Sequence, residues 1–170
     1  MAKLYNQLKH FVIKVLEYLI IICVGTAIAS AFLQVIFRYV LNNSLTWSEE
    51  LTRYLFIWVV FMAAPVALVR KMHMGVDIIF NRLPGKIKIF TEAIIELCVA
   101  IFAITLVNYG FKLTSIAMNQ PSPAMRIPMG YVYLAIPLGS LFLTWFALDG
   151  CLQGLRNLLA PVTREEVYKS

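Results

Sequence analysis

Hydrophobic positions along this chain come in blocks, separated by short segments that hold nearly all of the charge. Four windows, at about residues 15–37, 50–69, 88–110 and 128–148, are almost wholly apolar. A spanning helix needs about 20 such residues, because it rises 1.5 Å per residue across a hydrocarbon core of roughly 30 Å. Each window meets that length and none alternates with the strict amphipathic period of a surface helix. The pattern predicts an all-α integral membrane protein: a bundle of four transmembrane helices in one domain, residues 1–155, with a tail at 156–170.

The segments between the windows carry their own patterns. In RKMHMGVDIIFNRLPGK, Met72, Val76, Ile79 and Leu83 recur at helical spacing on one side, with His73, Asp77 and Asn81 on the other. Pro84-Gly85 then ends the run. This predicts a short interfacial amphipathic helix at about 71–83, its apolar side in membrane lipid and its basic residues near the headgroups. The segment NQPSPAMRIP, stiffened by Pro121, Pro123 and Pro128, predicts a fixed surface.

Composition agrees with the blocks: 61% of the 170 residues are hydrophobic and 14% charged, where soluble domains hold about 25% charged residues. The net charge of +6 does not form a stripe, which argues against a nucleic-acid partner. Its distribution is an orientation signal instead. The N-terminal segment, residues 70–88 and the C-terminal tail together hold eleven Lys and Arg, against four (Arg38, Arg53, Lys112, Arg126) on the other side. The asymmetry predicts both termini in the cytoplasm. Ala29-Ser30-Ala31 mimics a signal-peptide cleavage site, but the apolar run continues six residues beyond it and Glu17 interrupts its core, so a retained span is expected.

Candidate chemistry is sparse. Thr46-Trp47-Ser48-Glu49 reads as a capping box opening the second span, with Glu49 and Glu50 at the positive end of the helix dipole. Arg53, one turn on, is placed to pair with Glu49 or Glu50, and Arg38 to bridge to them across the loop. Arg38, Glu49, Glu50, Arg53 and Arg126 are therefore the expected outer-face clamp or docking surface. Glu92 and Glu96 lie one turn apart on the third span, Glu96 ~12 Å below the boundary at Lys88. An acid at that depth must be neutral, paired or facing water; a polar tie to another helix or a protonated acid is expected. Glu17 is expected to pair with Lys14, and Asp149 with Arg70 or Lys71.

Gly25 and Ala29, with Ala27 and Ala31 beside them, offer close-packing faces, and Pro65 and Pro137 are placed to kink their spans. Cys23, Cys98 and Cys151 form no C-x-x-C, and the first two read as buried apolar positions. His10 and His73 lie at membrane boundaries and suit no haem. No phosphate loop, nucleophile elbow or H-E-x-x-H is present. No metal, cofactor or enzyme activity is expected.

FRYVLNNSLTWSEELTRYLFIW, RKMHMGVDII and PAMRIPMGYVYLAIPLG, in this order and spacing, resemble the small membrane subunit of tripartite ATP-independent periplasmic (TRAP) transporters, the DctQ-like family. The resemblance covers residues 10–155 or so. It implies a bacterial inner-membrane subunit that braces a large membrane subunit and helps dock a periplasmic solute-binding protein. The system it implies takes up an organic acid, such as sialic acid or a C4-dicarboxylate, on a sodium gradient. Substrate sites in transporters use broken helices and repeats near the midplane, and neither is evident here. Two rivals remain on the residues alone: an autonomous four-span proton-coupled exporter working through Glu17, and a membrane enzyme or electron carrier.

Overall fold

A computed structural model of the chain describes residues 2–43, 45–70 and 85–159. The expected interfacial helix at 71–83, with His73 and Asp77, and residues 160–170 of the expected tail lie outside them. The described chain is all-helical: α1 (Ala2–Tyr39), α2 (Thr46–Val69), α3 (Gly85–Ala117), a single turn α4 (Gly130–Tyr133) and α5 (Ala135–Leu159). Four of these, α1, α2, α3 and α4–α5 together, are long and apolar enough to cross a membrane. At 38 residues α1 is ~57 Å long. The lysine-bearing N-terminal segment thus continues the first span as helix.

α1 packs against α2, α2 against α5 and α5 against α3, and α1 also meets α5 around Lys9 and Ile13. The order shows in burial: 39% of the apolar stretch of α4–α5 is buried, against 11% for α1 and 17% for α3. Small residues let α5 take the central place. A Cβ on Gly139 would stand 2.8 Å from the carbonyl carbon of Phe61 on α2, and one on Gly110 of α3 would stand 3.0 Å from Pro137 Cδ. Backbones at that separation leave no room for a methyl group, and van der Waals packing at such crossings drives helix association in lipid.

A compact apolar cluster fastens three of the helices: Ile13 and Leu16 from α1, Met62 and Val66 from α2, Phe146 from α5, flanked by Trp58 and Trp145. Of the small residues on the first span, Ala27 is buried, whereas Gly25 and Ala29 face outward and nothing lies within 4 Å of a Cβ on Gly25. The packing face of α1 is therefore set by Leu16, Ala27 and Ser30. Pro65 and Pro137 are fully buried. Pro137 sits in the first turn of α5, just after the helix is interrupted at Leu134, where a missing amide N–H costs nothing to the ladder. Cys23 is half-buried, and Cys98 is exposed on α3, not buried as expected.

Candidate functional site

Most polar contacts gather at the end where α1 hands over to α2 and α3 to α4–α5. Ser30 of α1 and Ser48 of α2 meet there. Ser48 Oγ donates to the Ser30 carbonyl at 2.8 Å, the two hydroxyls lie 2.9 Å apart, and Ser30 Oγ stands 3.2 Å from the Ser48 carbonyl. Both are buried, Ser48 completely. Two short hydroxyls satisfy each other across an apolar interface, the kind of interhelical polar contact that survives in lipid.

Glu50 makes the second junction, two residues further along α2. One carboxylate oxygen accepts the hydroxyl of Tyr54, one turn on. The other accepts two successive amides of the loop before α4, Ala124 N–H at 3.0 Å and Met125 N–H at 2.8 Å. Paired backbone donors around one carboxylate oxygen make charge-assisted bonds. The loop they belong to is a narrow hairpin. Ser122 N–H donates to the Ile127 carbonyl at 2.8 Å, Met129 N–H to the Gln120 carbonyl at 2.9 Å, and Pro121 and Pro128 face each other as a bridge. The sulfur of Met129 lies 3.1 Å from the Tyr54 hydroxyl. Ser122 is buried in the hairpin, beside Glu50 and Tyr54. At the turn Arg126 adopts φ 55°, in the left-handed region where a Cβ crowds the following carbonyl.

The other expected residues sort themselves around these junctions. Arg53 pairs with Glu49, one turn apart and exposed. Arg38, in the last turn of α1, does not reach either glutamate; its guanidinium lies 6.0 Å from the ring of Tyr39. There its charge favours the negative end of the α1 dipole. The capping box does not form. The residue flanking the helix is Leu45, without a side-chain cap, Thr46 is already inside the helix, and the carboxylate of Glu49 is drawn to Arg53. Arg126 is exposed and belongs to none of the ion pairs among the described residues.

At the opposite end, two ion pairs join elements that the sequence paired differently. Asp149 of α5 takes Lys9 of α1, at 2.5 Å, with Gln153 donating to the same oxygen at 3.0 Å. Glu17 takes Arg70, not Lys14. With Arg70 engaged there and α1 running alongside, Lys9 is the cation that reaches Asp149. Tyr5 stands edge-on to Trp145, and a groove of about 580 Å³ opens between Tyr5, Asn6, Asp149, Leu152 and Gln153. On α3, Glu92 and Glu96 are half-buried, and the Glu96 carboxylate lies against Gly150 of α5, where a side chain would displace it.

Chemically, the arrangement fastens and displays. Among the described residues no three of His, Cys, Asp and Glu gather closely enough to hold a metal ion. The acids that can be followed atom by atom spend their oxygens on amides, a phenol, lysine or arginine, in every case linking one segment to another or one helical turn to the next. The two serines and the Glu50–loop contact went unread in the sequence. A hydroxyl recurring in two adjacent spans is the one signal that points to the serines.

Comparison with known proteins supplies the lineage. Residues 27–157 match the family described as Tripartite ATP-independent periplasmic transporters, DctQ component. The C4-dicarboxylate TRAP transporter small permease protein DctQ of Vibrio cholerae is 26% identical over 165 residues, covering 83% of this chain and 71% of that protein. The isethionate TRAP transporter permease protein DctMQ of Oleidesulfovibrio alaskensis is 34% identical over 94 residues, which cover 54% of this chain but 15% of that much longer protein. The sialic acid TRAP transporter permease protein SiaT of Haemophilus influenzae is 28% identical over 105 residues, 62% of this chain and 17% of that one. The family match covers most of the chain and agrees with its four long apolar helices: this protein belongs to the DctQ family, the small permease subunits of TRAP transporters.

Proposed function

We propose that this non-enzymatic, multi-pass subunit braces the large permease subunit of a TRAP system that takes up an organic acid on a sodium gradient, and helps dock the periplasmic solute-binding protein. Both termini lie in the cytoplasm, as the Lys and Arg asymmetry favours, so the Glu50 junction and its hairpin face the periplasm. The observation that carries the reading is that junction: a carboxylate on α2 gathers a proline-rich loop into a fixed shape at one end of the helices. Such a feature suits a presented surface and gives no path for a solute. The large apolar residues left exposed on α1 and α3, among them Phe32, Val35, Ile101 and Phe102, suit lipid and a partner subunit. The longer DctMQ and SiaT proteins, in which a matching segment is a small part of one permease chain, support association with a large subunit. Glu92 and Glu96 serve as a tie between α3 and α5. The relatives named for C4-dicarboxylate, isethionate and sialic acid support an acidic solute of that kind.

Reconstitution in proteoliposomes tests the reading. With the large subunit, the solute-binding protein and an inward sodium gradient, uptake of an organic acid is expected only when this chain is present. Transport by this chain alone, abolished by Glu17→Gln, would establish the exporter reading in its place. The pairing of Glu17 with Arg70 gives that carboxylate a structural partner joining α1 to the end of α2.

A further inference from the structure

Resting on the docking role proposed above, we propose that Glu50 is a positioning residue, and that what it positions is Arg126, the cation that contacts an acidic patch on the solute-binding protein. The two residues have opposite surroundings. Both carboxylate oxygens of Glu50 are occupied, one by the Tyr54 hydroxyl and one by the Ala124 and Met125 amides, so Glu50 has little left to offer a partner. Arg126 follows directly on those two amides, is exposed, and is held by none of the ion pairs or ring contacts among the described residues. The neighbouring cations at this end are restrained on their own helices: Arg53 by Glu49, Lys112 5.4 Å from the Tyr109 ring, Arg38 6.0 Å from the Tyr39 ring.

The backbone carries the argument further. Arg126 sits at φ 55°, a conformation L-residues rarely adopt, in a turn where glycine would fit without strain. A strained residue persists only where its surroundings over-determine it. Here they do: Arg126 N–H donates to the Ser122 carbonyl at 3.2 Å, Ser122 N–H to the Ile127 carbonyl, and Glu50 takes the two preceding amides. An arginine that only reached for lipid phosphate would need none of this, because its long side chain snorkels from almost any backbone. A fixed direction matters when a planar guanidinium must meet carboxylates on a second folded surface.

The test uses the complex of this chain with its large subunit in nanodiscs, with binding of the solute-binding protein followed by surface plasmon resonance across a salt series. Arg126→Gly removes the charge and relieves the backbone. It is expected to weaken binding by about 1.5- to fivefold, the range of an exposed charge pair, chiefly through slower association and with a shallower salt dependence. Its melting temperature is expected to be no lower than that of the unaltered complex. Arg126→Lys, which keeps the charge but not the planar fork, retains only part of the binding. Glu50→Gln weakens binding with Arg126 intact and speeds hydrogen exchange at Ala124 and Met125, while Glu50→Gln with Arg126→Gly binds no worse than Arg126→Gly alone. That non-additivity is the signature of action through Arg126. Unchanged binding by Arg126→Gly, or additive losses in the double variant, would overturn the assignment while leaving docking itself intact. Equal capture by the large subunit without this chain would overturn the docking role on which it rests. A loss that follows the anionic lipid content of the nanodisc would make Arg126 a headgroup anchor and overturn the proposal as well.

Discussion

Replacing Ser48 by alanine removes one hydroxyl from a position with no solvent exposure. It deletes the 2.8 Å bond to the Ser30 carbonyl and the 2.9 Å hydroxyl pair, and leaves Ser30 Oγ its 3.2 Å contact with the Ser48 carbonyl. Neither carbonyl is orphaned, because both belong to helix ladders and Thr52 Oγ1 also donates to that of Ser48, at 2.9 Å. No large desolvation penalty is therefore added. A neutral hydrogen bond contributes about 0.5–1.5 kcal/mol, and interhelical polar pairs in membranes average about 0.6 kcal/mol with a maximum near 1.7. Ser48→Ala should thus cost about 1 kcal/mol, and Ser30→Ala about the same. The double variant should fall short of the sum by about 0.6 kcal/mol, because the hydroxyl pair is lost only once. Unfolding of the purified chain in mild detergent titrated with a denaturing one measures all three. Strictly additive losses, or single variants as stable as the unaltered chain, would refute the claim that these hydroxyls fasten α1 to α2.

Gly139→Ala puts a methyl 2.8–2.9 Å from Phe61 atoms of α2 and forces the two helices apart, a loss of about 1–3 kcal/mol in the same titration. Gly25→Ala meets nothing within 4 Å and should instead gain up to about 1 kcal/mol from helix propensity, so equal effects at the two glycines would contradict the packing described. Asp149→Asn weakens the Lys9 tie between α5 and α1; with side chains 13% and 19% exposed, the loss should be about 1–3 kcal/mol, below the 3–5 of a fully buried pair. Stability unchanged in both Asp149→Asn and Lys9→Ala would show that the ends of α1 and α5 are held by the Tyr5–Trp145 contact and the Phe146 cluster alone.

The sequence announced the four long helices because lipid imposes a length and a polarity that few other environments demand. The Glu49–Arg53 pair was equally legible, since a spacing of four residues on one helix needs no tertiary knowledge. Partners between helices were not. Asp149 was expected to meet Arg70 or Lys71, and the run of α1 past α5 brings it Lys9 instead. The capping box failed because a motif states what side chains can do, whereas Leu45 in the flanking position and Arg53 within reach of Glu49 decide what they do. Ser30 and Ser48 carry no sign of their meeting until the rotation of each helix is known. Glu50 meets amides 74 and 75 residues away, a contact that no local pattern encodes. Which helix faces pack has the same origin: nearly every face of these helices is apolar, so hydropathy does not say which faces meet, and close approaches such as Gly139 on Phe61 do.

Purification of the tagged chain from its native membranes in mild detergent tests the central claim most directly. A brace should bring with it a stoichiometric, many-span membrane protein, and lose part of that yield when the exposed apolar faces of α1 or α3 are disrupted by bulky polar substitutions. Recovery of the chain alone, or only as copies of itself, in a detergent that preserves other membrane complexes would contradict the account.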